Sequence, residues 1–362
     1  MRPRAAARGR GSGTLPVEGA ATGQEATMRL GVRVLRGPDW RLSVEKVRIA
    51  EQLGYEMVVA VDPGIVPWLT ILATHTERIL LGSSIVNVYP RSPALLAQDF
   101  AALDEISGGR AVLGIGVSSP QLNEQYHGVR FERPLRRLRE YVEIVNLLFS
   151  GRELVYDGEI FRMDDRFRLT RYASPPRDHI PIWIGAVSPP SIRQTGEVAD
   201  GIIPVHWPRE HFGTLRAELE EGAGVAGRAG FPFTIAPQTH VYVLDGRRDE
   251  ELWWEARRPI WQYINRMGPF YWPMLARLGF EAEVEASRAA WARRDRDGSL
   301  AAISERMVRS IQVIGPIESV REQLRERARL GADLQLLYTP EIGEADYDDP
   351  AAIGRRLESY LG

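Results

Sequence analysis

The sequence predicts a single (β/α)8 TIM barrel, an α/β fold built on eight parallel strands, and three observations carry that expectation. From Met28 onward short β-branched apolar runs alternate with stretches of helical period, the order that builds βαβ units and a parallel sheet. Eight such runs can be counted. At 362 residues the chain exceeds the usual span of one domain, but a barrel of about 250 residues with insertions absorbs that length.

Residues 29–35 read as the first strand. Ser43 can cap a helix whose Val44, Val47, Ala50 and Leu53 share one face, and Gly54 stops it. Strand two follows at 56–61, a short helix at 65–76, and then strand three at 78–86, too continuously apolar to be half exposed. Ser92 and Pro93 start a helix with Leu96, Phe100 and Leu103 on its buried stripe; Gly108 and Gly109 end it before strand four at 110–116. A long loop leads to a helix at 134–149, and residues 151–180 look like a β-hairpin excursion. The alternation resumes with strand five at 181–184, a helix at 190–199, strand six at 201–205 and strand seven at 234–244.

Residues 250–305 carry Trp253, Trp254, Trp261, Tyr263, Phe270, Tyr271, Trp272 and Trp291. A structureless loop of that length is uncommon in a compact domain, so a helical insertion is expected before strand eight. Residues 319–330 give the last crossover helix but one, 333–338 the eighth strand and 350–361 the closing helix. Residues 1–27, small and polar with early arginines, are expected to be a disordered tail ahead of a barrel spanning 28–362.

A net charge of −2 lacks the basic footprint of a nucleic-acid binder. Zero cysteines exclude disulfides, thiolate catalysis and cysteine-based metal sites and fit a cytoplasmic protein. Lys46 is the only lysine, which removes most lysine chemistry. No apolar run suits a secretory signal or demands a bilayer. The six histidines lack metal spacing, so no metal is expected.

The stretch LGSSIVNVYPRSPALLAQDFAALDEISGGRAVLGIG, Leu81 to Gly116, holds Asn87, Tyr89, Arg91, Pro93, Leu103, Asp104, Ser107, Gly108, Gly109, Arg110, Gly114 and Gly116. It resembles the bacterial-luciferase-like family of flavin and deazaflavin enzymes. Later segments are similar to signatures of the same family: the run from Pro134, Pro181-Ile-Trp-Ile-Gly-Ala, Gly196-Glu-Val-Ala-Asp-Gly201 and Gly315-Pro-Ile-Glu-Ser-Val. Met267-Gly-Pro-Phe-Tyr271 is similar to the subgroup that uses the deazaflavin coenzyme F420.

That resemblance implies an F420-dependent oxidoreductase transferring a hydride between the coenzyme and a small organic substrate, working as a homodimer. A reduced-FMN monooxygenase is the alternative, and a non-catalytic coenzyme-binding barrel is a third reading. The coenzyme is expected in an apolar slot at the C-terminal mouth of the barrel, against Asp62, Ser83, Ser84, Ile85, Asn87 and Asn123, with a non-proline cis peptide at Ser84–Ile85. Its phosphate is expected where a helix begins after strand five, at Val187, Ser188 and Ser191, although Pro189 and Pro190 each remove an amide donor. Asp62, His206 and Glu124 are the candidates for substrate and proton handling. Asp62 is followed by Pro63 where many members carry histidine, which argues against histidine-dependent proton transfer. Bland alternatives stand beside these: Asp62 as a turn cap, Ser188 as a plain helix start, His206 as a satisfied rim residue, and Asn123 and Glu124 as loop residues.

Overall fold

The computed structural model describes residues 28–37, 39–61, 64–164, 166–171, 173–339 and 349–361. The chain begins with β1 (Leu30–Arg33), α1 (Trp40–Gln52), β2 (Met57–Ala60), α2 (Ile65–Ala73), β3 (Leu80–Ser83) and its short continuation β4 (Val86–Asn87). Next come α3 (Pro93–Ser107), β5 (Ala111–Gly116), α4 (Pro134–Phe149), the antiparallel hairpin β6 (Tyr156–Asp157) and β7 (Arg162–Met163), then β8 (Ile182–Ile184) and α5 (Pro189–Val198). β9 (Gly201–Ile202), α6 (Phe212–Val225), β10 (Thr234–Ile235) and β11 (Gln238–Val243) follow. Helices α7 (Asp249–Asn265), α8 (Tyr271–Leu275), α9 (Glu281–Ala292), α10 (Arg296–Ala301) and α11 (Glu305–Ile311) precede β12 (Val313–Gly315), α12 (Ile317–Arg329), β13 (Gln335–Tyr338) and α13 (Pro350–Ser359).

Among the described residues eight strand positions close a parallel ring: β1, β2, β3, β5, β8, β9, the β10–β11 pair, and β13 back against β1. β10 and β11 are two halves of the expected seventh strand, interrupted at Ala236 and Pro237; the proline has no N–H to give to a ladder. A Val205–Gln238 bridge continues the pairing past β9. β12 stands outside the eight expected strands. Gln238 N–H donates to Pro204 O and Leu244 N–H to Gly315 O. These two residues are an even number apart and so face the same edge. β12 therefore extends that edge beyond the end of β9.

Strand parity fixes what fills the barrel. Met57, Val59, Val112, Trp183, Ile203, Ala236, Leu334 and Leu336 form an inner cluster, so positions at even offsets from them also face inward. Gly114 is one of these, and a Cβ there would stand 1.8 Å from Ser83 O. Only glycine permits that approach of β5 to β3.

Outside the ring, α3 shows how the local sequence sets an element. Ser92 Oγ accepts the Leu95 N–H, Pro93 occupies the first turn, and Gly108 takes the left-handed cap at φ 70°. Leu96, Phe100 and Leu103 are buried beneath it, each contributing about 1.5–3 kcal/mol. The following Arg110 is buried and donates to five acceptors, Ser107 O, Thr76 Oγ1, Ile79 O, Ala73 O and Thr76 O. Asp104 accepts from Ala111 N–H and from Arg177. The characteristic turn at 104–110 is thus scaffold that bolts α3 to β5.

α1 begins earlier than the Ser43 cap predicts. Asp39 caps it by accepting the Arg41 N–H at 2.9 Å. Ser43 lies buried inside the helix, where its hydroxyl accepts from Gly37 N–H and donates to Leu35 O, folding the β1–α1 loop back on the helix. Tyr55 donates its hydroxyl to Leu357 O at 2.9 Å and so ties α13 to the turn before β2. Among the described residues no helix is long and apolar enough to cross a membrane.

Candidate active site at the barrel mouth

Parity and register bring Arg33, Ser84, Gly116, Gly185 and Tyr338 to the inner face at or just past the C-terminal ends of their strands, level with Gln238 and His240 of β11. This is the end of a parallel barrel where functional side chains collect. The peptide bond Ser84–Ile85 is cis, as the resemblance implies. Ile85 lies over the two inward glycines: a Cβ at Gly116 would come 3.0 Å from its Cδ1, and one at Gly185 would come 3.4 Å from its Cγ2. The glycines therefore form a cradle in which Ile85 stands half-buried, an apolar side chain at the mouth. Across the barrel Gln238 Nε2 donates to Ser84 Oγ at 2.7 Å and fixes the next residue in place.

Ser83 is buried and its hydroxyl is spent on β5, donating to Gly114 O at 2.7 Å and accepting the Gly114 N–H at 2.9 Å. Asn87 and Asn123 are both buried and bonded to one another at 2.8 Å. Asn87 Oδ1 also accepts the Tyr89 N–H, while Asn123 Nδ2 donates to Val117 O and Ser119 O. These amides clamp the loops after β4 and β5 together. Glu124 is exposed in the following π-turn, where its carboxylate accepts the Phe131 N–H at 3.2 Å. Asp62 and Pro63 lie outside the described residues.

Ser188 and Ser191 form a reciprocal cap at the start of α5, each hydroxyl bonding the other residue's N–H. With prolines at 189 and 190, that turn has spent its amide donors on itself. Beside it Arg277, paired with Glu218 at 3.6 Å, reaches Val187 O at 3.5 Å. A cation thus stands next to the helix start, where the dipole already favours an anion.

His206 follows the Val205 bridge in a left-handed conformation at φ 54°, uncommon away from glycine. It is buried, its Nε2 has no hydrogen-bond partner, and its ring stands edge-on to Tyr263 at 4.5 Å. Tyr263 meets Tyr271 at 4.5 Å, His240 lies 5.6 Å from His206, and Tyr338 packs on His240 at 5.0 Å. Burial, with a smaller push from the Arg33 charge, drives His206 down to about 3. Burial, the His206 ring and Arg33 push His240 well below its ordinary value too. Burial raises Tyr263 and Tyr271. Both histidines are accordingly neutral and both phenols protonated at physiological pH.

The structure brings Ser84 and Ile85 to the mouth with His206 behind it, and sets Val187, Ser188 and Ser191 at the start of α5. Arg33, Gln238, His240, Tyr338 and Arg277 are additions. The signal for three of them was in the sequence: polar side chains on the inward parity of otherwise largely apolar strands, as Arg33 stands in RLGVRVL and Gln238 and His240 stand in QTHVYV. Arg277 carried no such signal, because only folding brings it beside Val187.

A (β/α)8 barrel whose C-terminal mouth offers an apolar shelf, a polar wall that carries Arg33 and an anion-attracting helix start defines a class of coenzyme-binding barrels. The chain belongs to the luciferase-like monooxygenase family, whose family model matches residues 14–334. It is 31% identical over 320 residues to the 5,10-methylenetetrahydromethanopterin reductase of Archaeoglobus fulgidus, covering 86% of this chain and 93% of that protein. The coenzyme F420-dependent tetrahydromethanopterin reductase of Methanopyrus kandleri superposes with a TM-score of 0.74 at 23% identity, covering 92% of this chain and 99% of that one. An F420-dependent secondary alcohol dehydrogenase, solved with an F420-acetone adduct, gives a TM-score of 0.69 at 16% identity over 92% of this chain and 98% of its own.

Proposed function

We propose that this protein is an F420-dependent oxidoreductase that moves a hydride between the deazaflavin and a small organic substrate held in the barrel mouth. The observation that carries the reading is the Ile85 shelf in its cradle of Gly116 and Gly185, with α5 beginning four residues after Gly185. A planar ring with an anionic tail fits that arrangement. The coenzyme supplies the hydride chemistry when bound, and the protein supplies position and electrostatics.

In this reading Ile85 backs one face of the ring and the Gln238–Ser84 hydrogen bond keeps the shelf from moving. Arg277 and the dipole of α5 attract the phosphate of the tail to the start of that helix, at Val187, Ser188 and Ser191, by charge and not through the spent amides. Ser83, Asn87 and Asn123, bonded to β5 and to each other, hold the loops around the ring, while Asp62 takes its polar edge or the substrate. His206, neutral at physiological pH, lies behind the mouth and keeps that wall free of charge; a role for it in substrate or proton handling requires its ring to become accessible. Glu124 is assigned proton transfer only in a form that gives up its bond to Phe131. The reading also has the protein acting as a homodimer in the cytoplasm, supported by the family resemblance and the absence of cysteine; sedimentation velocity tests the dimer.

Titrating the purified protein with F420 and, separately, with FMN tests the coenzyme. Saturable F420 binding is expected. Tight FMN binding with no F420 affinity overturns the reading in favour of a reduced-FMN monooxygenase, and F420 binding with no turnover of reduced coenzyme by any acceptor favours a non-catalytic barrel.

A further inference from the structure

Among the described residues Arg33 has no carboxylate partner. Four positions earlier, just ahead of β1, Arg29 is paired with Glu56 at 2.7 Å. Arg33 faces into the mouth, half-buried, with its guanidinium carbon 4.9 Å from the centre of the Tyr338 ring and its Nε buried without a hydrogen-bond partner. Its charge reaches His206, His240 and Tyr263. None of these neutralises it, since two are uncharged imidazoles and the third a protonated phenol. A cation partly withdrawn from water and without a counter-ion is open to an anionic partner. A guanidinium in that position suits the planar, two-pronged geometry of a carboxylate.

Resting on the reading of the mouth as the substrate site, we propose that this enzyme selects organic anions: Arg33 takes a carboxylate of the substrate beside the ring of Tyr338. The wall beside it is aromatic, running from Tyr338 through His240 and His206 to Tyr263 and Tyr271. It suits a carboxylate attached to a flat or apolar body over a bare inorganic anion.

Benzoate and its uncharged analogue benzamide are the probes, titrated calorimetrically into the full chain without coenzyme, alongside Arg33→Gln and Arg33→Lys. Benzoate is expected to bind the wild type at least tenfold more tightly than benzamide does. Arg33→Gln should lose at least tenfold in benzoate affinity, Arg33→Lys should fall between, and both variants should keep the wild-type affinity for F420. Benzoate should also shift the His206 Cε1 proton resonance of the wild type, a readout that stands even if a variant fails to fold. Equal binding of benzoate and benzamide, or unchanged benzoate affinity in Arg33→Gln, overturns the proposal. A parallel loss of F420 affinity in Arg33→Gln also overturns it, since Arg33 then serves an anionic group of the coenzyme. Failure of the wild type to bind F420 is a separate result that counts against the coenzyme reading alone.

Discussion

Replacing His206 with glutamine should flatten the acid side of the stability profile. In the fold the imidazole is held near 3 against 6.5 for the unfolded chain. Below pH 6.5 the unfolded state takes up a proton that the native state refuses until about pH 3, so the native state loses ground throughout that window and gains nothing above it. At pH 5 the unfolded chain is one and a half units below its own pKa. At about 1.4 kcal/mol per unit this single group then costs the fold about 2 kcal/mol. Glutamine can occupy the site without titrating. Urea unfolding followed by tryptophan fluorescence at pH 7.5 and pH 5.0 should therefore show a stability drop about 2 kcal/mol smaller in His206→Gln than in the wild type. His240 stays in both proteins, and relief of its coupling to His206 acts in the same direction. Drops that agree to within about 0.5 kcal/mol would refute the argument and imply that water reaches the imidazole.

Glu140→Gln tests a different kind of anchor: burial raises this carboxyl, but the Ile160, Phe161 and Glu159 N–H groups at 2.8–3.0 Å outweigh it and hold the pKa below its ordinary 4.5. The variant should lose about 2 kcal/mol at pH 7, and the gap should close as pH falls below 4.5 through the folded value, read by urea unfolding at pH 7 and 3.5. Gly114→Ala forces a Cβ onto Ser83 O and should cost about 3 kcal/mol or more, seen as a lower thermal midpoint and less soluble protein. Arg110→Met strands five buried acceptors and should lower stability by about 3 kcal/mol, measured by chemical denaturation. Arg277→Gln, at an exposed position, should leave the thermal midpoint in place while weakening F420 binding about tenfold, as followed by coenzyme fluorescence.

Much of the scaffold was legible because it is local. The cap at Ser92, the Gly108 stop and the apolar stripe of α3 act within a turn or two of chain, so the residues that make the helix are neighbours in sequence. The same holds for Ser188 and Ser191, three positions apart. Ser43 misled for the opposite reason: whether it caps or folds back depended on Leu35 and Gly37, and Asp39 was the nearer competitor for the helix start. β12 was missed because three residues are too short for a period, and only an edge left open beyond β9 gives them a partner.

By itself the sequence determined the alternation that closes a barrel and the family signature at 81–116, since both are written in short-range pattern. Tertiary structure alone decided which polar groups remain free at the mouth. Asn87 and Asn123 meet across 36 positions and satisfy each other. Arg33 and His206 come from strands far apart in the chain, and each keeps a buried nitrogen without a partner. Hydrogen-bond satisfaction is settled by what the fold brings within about 3 Å, and no spacing along the chain encodes that distance.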